Sequence, residues 1–125
     1  MILGIGTDLV EVARIRRAFE RHGDRFVARI LKEGEIAYCL KHRDPAPFLA
    51  ARFAAKEAIS KAFGTGMGGA LAWHDMEVVR LPSGQPTVVL HGGGETLLKQ
   101  RGGRIVHLTL THTDSHASAT AILES

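Results

Sequence analysis

The sequence has few of the residues that cross-link a small protein or carry it across a membrane. Its single cysteine, Cys39, excludes an intrachain disulfide and a zinc site built from several cysteines. No apolar run approaches the roughly 20 residues that a membrane-spanning helix needs. No cationic segment precedes the first apolar residues, and an acid, Asp8, follows soon after them. We therefore expect no secretory signal and a protein of the reducing cytoplasm.

Composition and length favour one globular domain. The chain has 125 residues, 45% of them hydrophobic and 23% charged, which is enough to bury a core without cross-links. We therefore expect a single domain spanning residues 1–125. The net charge is only +3, and the aromatic residues are one Trp, one Tyr and five Phe. Without a recognised motif, this composition gives little support to a nucleic-acid partner.

The hydrophobic periodicity predicts an α+β fold with a mostly antiparallel sheet. The expected order is one strand, three helices, two strands, one helix and two strands. The strands are predicted at residues 1–6, 76–81, 86–90, 104–111 and 116–123, and the helices from residue 8 and at 31–42, 48–63 and 91–103.

The first strand and the helix predicted after it carry two local signals. Gly4 and Gly6 in an apolar run indicate a buried strand that another backbone approaches closely. Asp8, with Glu11 three residues later, matches a capping box with Asp in place of Ser or Thr. Asp8 is therefore predicted as the N-cap of the first helix.

Arginines form a stripe along the first helix, opposite its apolar face of Val12, Ile15 and Phe19. Arg14, Arg17 and Arg21 recur at spacings of three and four, and Arg25 extends the stripe if the helix continues through Gly23. Such a stripe is either a solvated face or a docking surface for an acidic partner.

Residues 52–66, RFAAKEAISKAFGTG, form an alanine-rich helix that ends in a glycine-rich loop. Glu57 and Lys61 are four residues apart and so share one face, with Arg52 and Lys56 in the turns before. This spacing fits an ordinary surface salt bridge, and it also fits a site for a metal and a phosphate. The loop is not a Walker P-loop, because no Lys-Ser/Thr pair follows the glycines, and no strand precedes it as in a Rossmann fingerprint.

Three sets of polar residues are candidates for chemistry: Asp8, the pair Glu57 and Lys61, and His112 with His116. Two carboxylates from different elements, without thiols, suit a hard cation such as Mg²⁺. A lysine one turn away suits a phosphoryl oxygen. His112 and His116 lie on either side of a predicted turn and lack the helical spacing of a zinc protease, so a zinc site is disfavoured. His112 alone suits a proton acceptor or a phosphate donor.

Five segments together resemble one family. They are GIGTDLVEVARI (4–15), RFAAKEAISKAFGTG (52–66), WHDMEV (73–78), GQP (84–86) and LTHT (110–113). In this order they are similar to holo-[acyl-carrier-protein] synthase, the small bacterial type of 4′-phosphopantetheinyl transferase. The combination of G-x-D with K-E-A-x-x-K is specific to this superfamily, and the similarity covers nearly the whole chain.

The resemblance implies transfer of the 4′-phosphopantetheine arm of coenzyme A to a serine of acyl carrier protein, with release of 3′,5′-ADP. It implies magnesium at Asp8 and Glu57, Lys61 near the pyrophosphate, and active sites between the subunits of a homotrimer. On the same resemblance, Arg52, Thr65, Pro86 and His112 are expected along the coenzyme A path. The arginines of the first helix, Arg14, Arg17, Arg21 and Arg25, are expected to dock the carrier protein.

Several alternatives stay open at this level. The base that takes the serine proton could be Glu57, a metal-bound water or His112. A non-catalytic module that binds an acidic protein or RNA through its arginine helix would share the charge pattern. A magnesium-dependent hydrolase of another pyrophosphate would share the carboxylates.

Overall fold

A computed structural model describes residues 1–125 as five strands and five helices. The strands are β1 (Ile2–Glu11), β2 (Met76–Arg80), β3 (Pro86–Leu90), β4 (Ile105–His112) and β5 (His116–Glu124). The helices are α1 (Val12–His22), α2 (Asp24–Ile30), α3 (Glu33–Leu40), α4 (Ala46–Phe63) and α5 (Gly92–Gln100). A single 3₁₀ turn at Trp73–Asp75 leads into β2.

The predicted α+β fold and its antiparallel pairing are confirmed. β1, β5 and β4 form one antiparallel sheet in that order, and β2 and β3 form a separate hairpin. The structure adds one short helix, α2, between the first two predicted helices. Gly23 separates α1 from α2 because its φ of 52° lies in the left-handed region. Arg25 therefore lies on α2 and does not continue the stripe of α1 along the same helix.

Helix α4 packs across the inner face of the three-stranded sheet and forms the centre of the core. Its alanines at positions 50, 51, 54, 55, 58 and 62 are all buried. A Cβ built on Gly6 would lie 2.0 Å from the Ala58 carbonyl oxygen, and one on Gly4 would lie 2.0 Å from that of Ala62. The two glycines are thus required for direct backbone contact between β1 and α4, which is the close approach that the sequence predicted.

The prediction that Asp8 caps the first helix is wrong. β1 continues to Glu11, and Asp8 is paired with Ala119 of β5 inside the sheet. The N-cap of α1 is Glu11, which makes no side-chain capping hydrogen bond. Strand pairing with β5 supplies partners for these backbone groups, so the capping pattern does not act here. As a result Asp8 lies on the face of β1 that points towards α4, the same face as Gly6 and Val10.

None of the helices is both long enough and apolar enough to span a membrane.

Candidate active site

Asp8 and Glu57 come together where β1 lies against α4. Gly6 contacts the backbone of residues 58 and 62, and Asp8 follows two residues later on the same face of the strand. Burial raises the pKa of Glu57, the Asp8 carboxylate raises it further, and the Lys61 and Arg14 cations oppose the change. Two carboxylates from different elements therefore share one site, beside two cations.

Lys61 belongs to this site through Asp8. Its Nζ donates to the Thr7 carbonyl oxygen at 3.0 Å and to Asp8 Oδ1 at 3.1 Å. The ion pair of Lys61 is with this carboxylate on β1 and not with Glu57 one turn earlier. The ordinary i,i+4 salt bridge is therefore replaced by a contact between helix and strand.

Lys56 does not belong to the site, although it precedes Glu57 directly. Its ammonium is completely buried and pairs with the equally buried Glu35 at 2.9 Å. It also donates to the carbonyl oxygens of Ile30 at 2.7 Å and Trp73 at 3.2 Å. Burial lowers the pKa of Lys56, and Glu35 counteracts this. The pair joins α4 to α2, α3 and the 3₁₀ turn, which fixes how α4 is rotated and hence where Glu57 points.

A second group of polar residues surrounds Tyr38. The guanidinium of Arg52 lies 4.3 Å from the centre of the Tyr38 ring, that of Arg80 lies 5.1 Å from it, and the Lys41 ammonium 4.7 Å. None of these three cations has a carboxylate within ion-pair distance. Arg52 is buried, and its Nε has no hydrogen-bond partner. A cavity of about 180 Å³ is lined by Tyr38, Arg52 and Arg80, together with the Glu77 carboxylate. The two guanidinium groups without a carboxylate partner favour an anion beside this cavity.

Pro86 and His112 belong to the Tyr38 group, whereas Thr65 lies at the Lys61 end of α4. Pro86 pairs with Arg80 across the hairpin. The His112 ring lies 5.2 Å from the ring of Phe48, which in turn lies 6.1 Å from Tyr38. Thr65 follows the helix, where its hydroxyl donates to the Gly66 carbonyl oxygen at 2.9 Å.

The two groups lie apart within one chain. Arg52 and Glu57 are five residues apart on α4, which rotates their directions by about 140°. His112 is in register with Ala117, and Asp8 with Ala119 on the same middle strand. Two strand spacings and two residues place the Cα atoms of Asp8 and His112 roughly 12 Å apart. One chain therefore does not bring His112 to the carboxylate pair.

The arginine face begins beside the carboxylates. The Arg14 guanidinium lies 5.4 Å from the centre of the Phe53 ring, one turn before Glu57. Arg17 and Arg21 on α1 and Arg25 on α2 are exposed. A cleft of about 210 Å³ lies at the far end, and its lining includes Phe26 and Arg29. Arg16 is not available to the face, because it pairs with Asp44 at 2.6 Å.

Sequence analysis singled out the carboxylates, Lys61 and the arginines as candidates, but not Tyr38, Lys41 and Arg80. Tyr38 and Lys41 come from the end of α3, and Arg80 comes from β2, about 40 residues later. A lone tyrosine between Ala37 and Cys39 gives no signal of its own. Arg52, Pro86 and His112, which were expected along the coenzyme A path, are the sequence predictions that fall in this region.

Comparison with known proteins agrees with this geometry. The family model described as the 4′-phosphopantetheinyl transferase superfamily matches residues 4–121. The holo-[acyl-carrier-protein] synthase of Koribacter versatilis is 51% identical over 124 residues, covering 99% of each chain. The crystal structure of that synthase from Neisseria meningitidis superposes with a TM-score of 0.92 at 34% identity, covering 100% of both chains.

A further solved structure contains a ligand. The holo-(acyl-carrier-protein) synthase from Bacillus anthracis, in complex with CoA (3′,5′-ADP), superposes with a TM-score of 0.84 at 37% identity and covers 100% of this chain and 98% of its own. Because the family match and the 51% identity both extend over nearly the whole chain, this chain belongs to the 4′-phosphopantetheinyl transferase superfamily.

Proposed function

We propose that the chain is a holo-[acyl-carrier-protein] synthase, which transfers 4′-phosphopantetheine from coenzyme A to a serine of apo-acyl carrier protein. The observation that carries this proposal is the pairing of Asp8 and Glu57 across the contact between β1 and α4, with Lys61 beside them. The serine oxygen forms a bond to the β-phosphorus of coenzyme A. The bond from that phosphorus to the oxygen bridging to 3′,5′-ADP breaks, and the serine loses its proton.

The carboxylate pair fits magnesium. Its donors are hard oxygens, with no thiolate and no imidazole, which is the ligand chemistry that Mg²⁺ prefers. The structure contains no cluster of three or more His, Cys, Asp or Glu side chains placed to hold a metal, so substrate phosphates and waters would complete the ligand set. When bound, the ion neutralises charge that develops on the phosphoryl oxygens.

Glu57 is the proton acceptor within reach inside one chain. In the metal-free chain its pKa is raised by burial and by Asp8, and with metal bound its oxygen that is not engaged by the ion would be the one to take the proton. Lys61, at the same site, offers a positive charge or a proton to the departing phosphate. His112 can serve here only from a neighbouring copy of the chain.

The Tyr38 group suits the distant end of coenzyme A. Arg52, Arg80 and Lys41 have no carboxylate partner, and the buried Arg52 Nε has no partner at all. A phosphate in the adjoining cavity would pair these cations and would oppose the fall in the pKa of Arg52 that burial causes. We assign this region, with Pro86 and His112, to the phosphorylated adenosine of coenzyme A.

The separation of the two groups supports active sites shared between copies. Because Arg52 and Glu57 point in directions about 140° apart around α4, a ligand reaching both on one chain would have to wrap around the helix. The outer face of β1 carries large apolar side chains, with Ile5 66% and Leu9 67% exposed. Such a face is typical of an interface between subunits. We propose a homotrimer assembled on this face, in the cytoplasm.

The trimer has a direct test. Ile5→Lys with Leu9→Lys places charges on the outer face, and light scattering of the eluting protein should then show a smaller particle than for the unchanged chain. An unchanged trimer mass would contradict assembly on this face, and a monomeric unchanged chain would contradict the trimer.

The arginine face is assigned to the acidic carrier protein. It begins at Arg14, next to Glu57, and continues over Arg17 and Arg21 to Arg25, so a carrier bound there has its serine near the carboxylates. Arg14→Glu with Arg21→Glu should raise the KM for the carrier about fivefold or more, without a similar change for coenzyme A. Lys99→Glu, far along the chain and exposed, is the matched control. An unchanged carrier KM would argue against this assignment.

The deciding experiment is mass spectrometry of purified apo-carrier protein after incubation with the chain, coenzyme A and Mg²⁺. We expect the carrier to gain one phosphopantetheine group with the unchanged chain and with Glu33→Ala, an exposed carboxylate on α3. We expect Asp8→Ala and Glu57→Ala to abolish the gain. Full transfer by both variants would refute the metal assignment. Release of 3′,5′-ADP without any gain would instead indicate a hydrolase, and carrier binding without reaction a non-catalytic module.

A further inference from the structure

The ammonium of Lys61 lies where a cation bound to Asp8 would lie. It contacts Asp8 Oδ1 at 3.1 Å and the Thr7 carbonyl oxygen at 3.0 Å. The Asp8 side chain is only 16% exposed, so few other directions of approach to it are open. In this arrangement Asp8 already has a positive partner. Its negative charge also raises the pKa of the nearby Glu57.

A divalent ion and an ammonium compete for Asp8 Oδ1, because like charges repel at contact distance. Lys61 can leave more readily than either carboxylate. Its side chain is 50% exposed and ends in a flexible four-carbon stem, and it lies in the last turn of α4, just before Gly64 and Thr65. Releasing it breaks two hydrogen bonds and requires no backbone movement.

We propose that Lys61 is an internal cation that occupies Asp8 until a divalent metal binds, and that its release delivers the ammonium to a phosphate oxygen of the co-substrate. The inference rests on the proposed metal site at Asp8 and Glu57. Its consequence is coupling between ligands: the metal frees the lysine that the phosphate needs, and a phosphate that holds the lysine removes the competitor of the metal. Metal and pyrophosphate therefore bind more tightly together than separately.

The first test measures metal affinity without any co-substrate. Mn²⁺, a paramagnetic substitute for Mg²⁺, is titrated into the chain and free ion is followed by electron paramagnetic resonance. Since exposed ion pairs are weak, removal of the competitor in Lys61→Met should tighten Mn²⁺ binding about two- to sixfold. Lys99→Met, which removes an exposed lysine distant in sequence, should leave the affinity unchanged.

Repulsion through space would also tighten binding in Lys61→Met, so the second test follows Lys61 itself. Trace acetylation with acetic anhydride, read by mass spectrometry, gives the reactivity of Lys61 relative to Lys99 in the same native chain. We expect the ratio to rise when Mn²⁺ saturates the site, because Lys61 loses both hydrogen bonds. Added inorganic pyrophosphate should lower it again. In Asp8→Asn the ratio should already be high without metal.

The two tests separate the inference from the proposed function. If Mn²⁺ binds but the Lys61 ratio does not rise, Lys61 stays on Asp8 and the inference is wrong, while the metal site stands. If Mn²⁺ binds to the native chain neither alone nor with inorganic pyrophosphate, both the inference and the proposed metal site are wrong. The labelling of the unchanged chain decides the matter even if Lys61→Met fails to fold.

Discussion

The close contact between β1 and α4 makes Gly6→Ala the sharpest test of the site. The added Cβ would lie 2.0 Å from the Ala58 carbonyl oxygen, 2.6 Å from the Ala62 nitrogen and 2.9 Å from Lys61 Cβ. The first two are backbone atoms within a helix and cannot give way separately. The strand would have to retreat by about 1.4 Å to reach the 3.4 Å at which ordinary contact begins. Asp8, two residues later, retreats with it and moves away from Glu57.

The melting temperature and the rate of phosphopantetheine transfer both report the displacement of β1 in Gly6→Ala. Overpacking of this kind costs about 1–3 kcal/mol, which for a domain of this size lowers the melting temperature by about 4–12 °C. A misplacement of about 1 Å at a reacting centre can reduce the rate about 100-fold. We therefore expect phosphopantetheine transfer by Gly6→Ala, assayed well below its melting temperature, to fall by about that factor, with weaker Mn²⁺ binding.

Gly34→Ala is the matched control for this prediction. Gly34 is exposed on α3, and a Cβ there would meet nothing closer than Glu77 Oε2 at 3.9 Å. Alanine at this position, the second residue of α3, displaces no neighbouring atom, so this variant should not be destabilised and should bind Mn²⁺ normally. A Gly6→Ala chain with the melting temperature and Mn²⁺ affinity of the unchanged chain would refute the argument that glycine at this position sets the distance between the carboxylates.

Three further predictions follow from the charged and titratable groups. The raised pKa of Glu57 means that its ionised form is disfavoured in the folded state. The resulting loss of folding stability is fully present above the pKa that Glu57 has in the folded chain, and it disappears below the pKa that Glu57 has in the unfolded chain. Without metal, Glu57→Gln should thus melt about 1–2 °C higher than the unchanged chain at pH 8, and no higher near pH 4; a lower melting temperature at pH 8 would contradict this. Glu35→Gln leaves the buried Lys56 charge without its carboxylate, so urea unfolding should show a loss of about 3–5 kcal/mol, and a loss below 1 kcal/mol would contradict an ionised pair. The Cys39 thiol is fully buried and burial raises its pKa to about 11, so a thiol reagent should label it only as fast as the chain opens; immediate labelling of the native chain would be the contrary result.

The sequence allowed the central contact to be predicted because the signal is local. Gly4, Gly6 and the alanines of α4 are small residues at fixed spacings within their own segments, and small residues are what two backbones in contact require. The structure adds which pairs meet: Gly6 with Ala58 and Gly4 with Ala62. The carboxylates follow from this register, since each lies within one turn or two strand residues of the contact.

The role of Asp8 as an N-cap was predicted wrongly for a reason that no local pattern contains. A capping box describes four residues, whereas the length of β1 is set by its pairing with β5, more than 100 residues away. The backbone of β1 pairs as far as Glu11 with His116, so the helix begins after the box. The Tyr38 group escaped sequence analysis in the same way, because Arg52 and Arg80 meet at one ring only after α4 and the hairpin have packed.

Adjacent residues on α4 have opposite environments, and this difference is what makes the site possible. Lys56 is completely buried and held by one carboxylate and two carbonyl oxygens, whereas Glu57 is partly exposed and lies beside Asp8 and Lys61. One step along a helix turns a side chain by about 100°, so the direction fixed by the Lys56 pair also fixes the direction of Glu57. A buried ion pair is weak evidence for stability, since apolar residues of similar size often do as well. We infer that the Lys56–Glu35 pair serves to orient α4. Because Glu35 lies on a different helix, its bond to Lys56 resists rotation of α4 about its own axis, which small alanine side chains would resist only weakly.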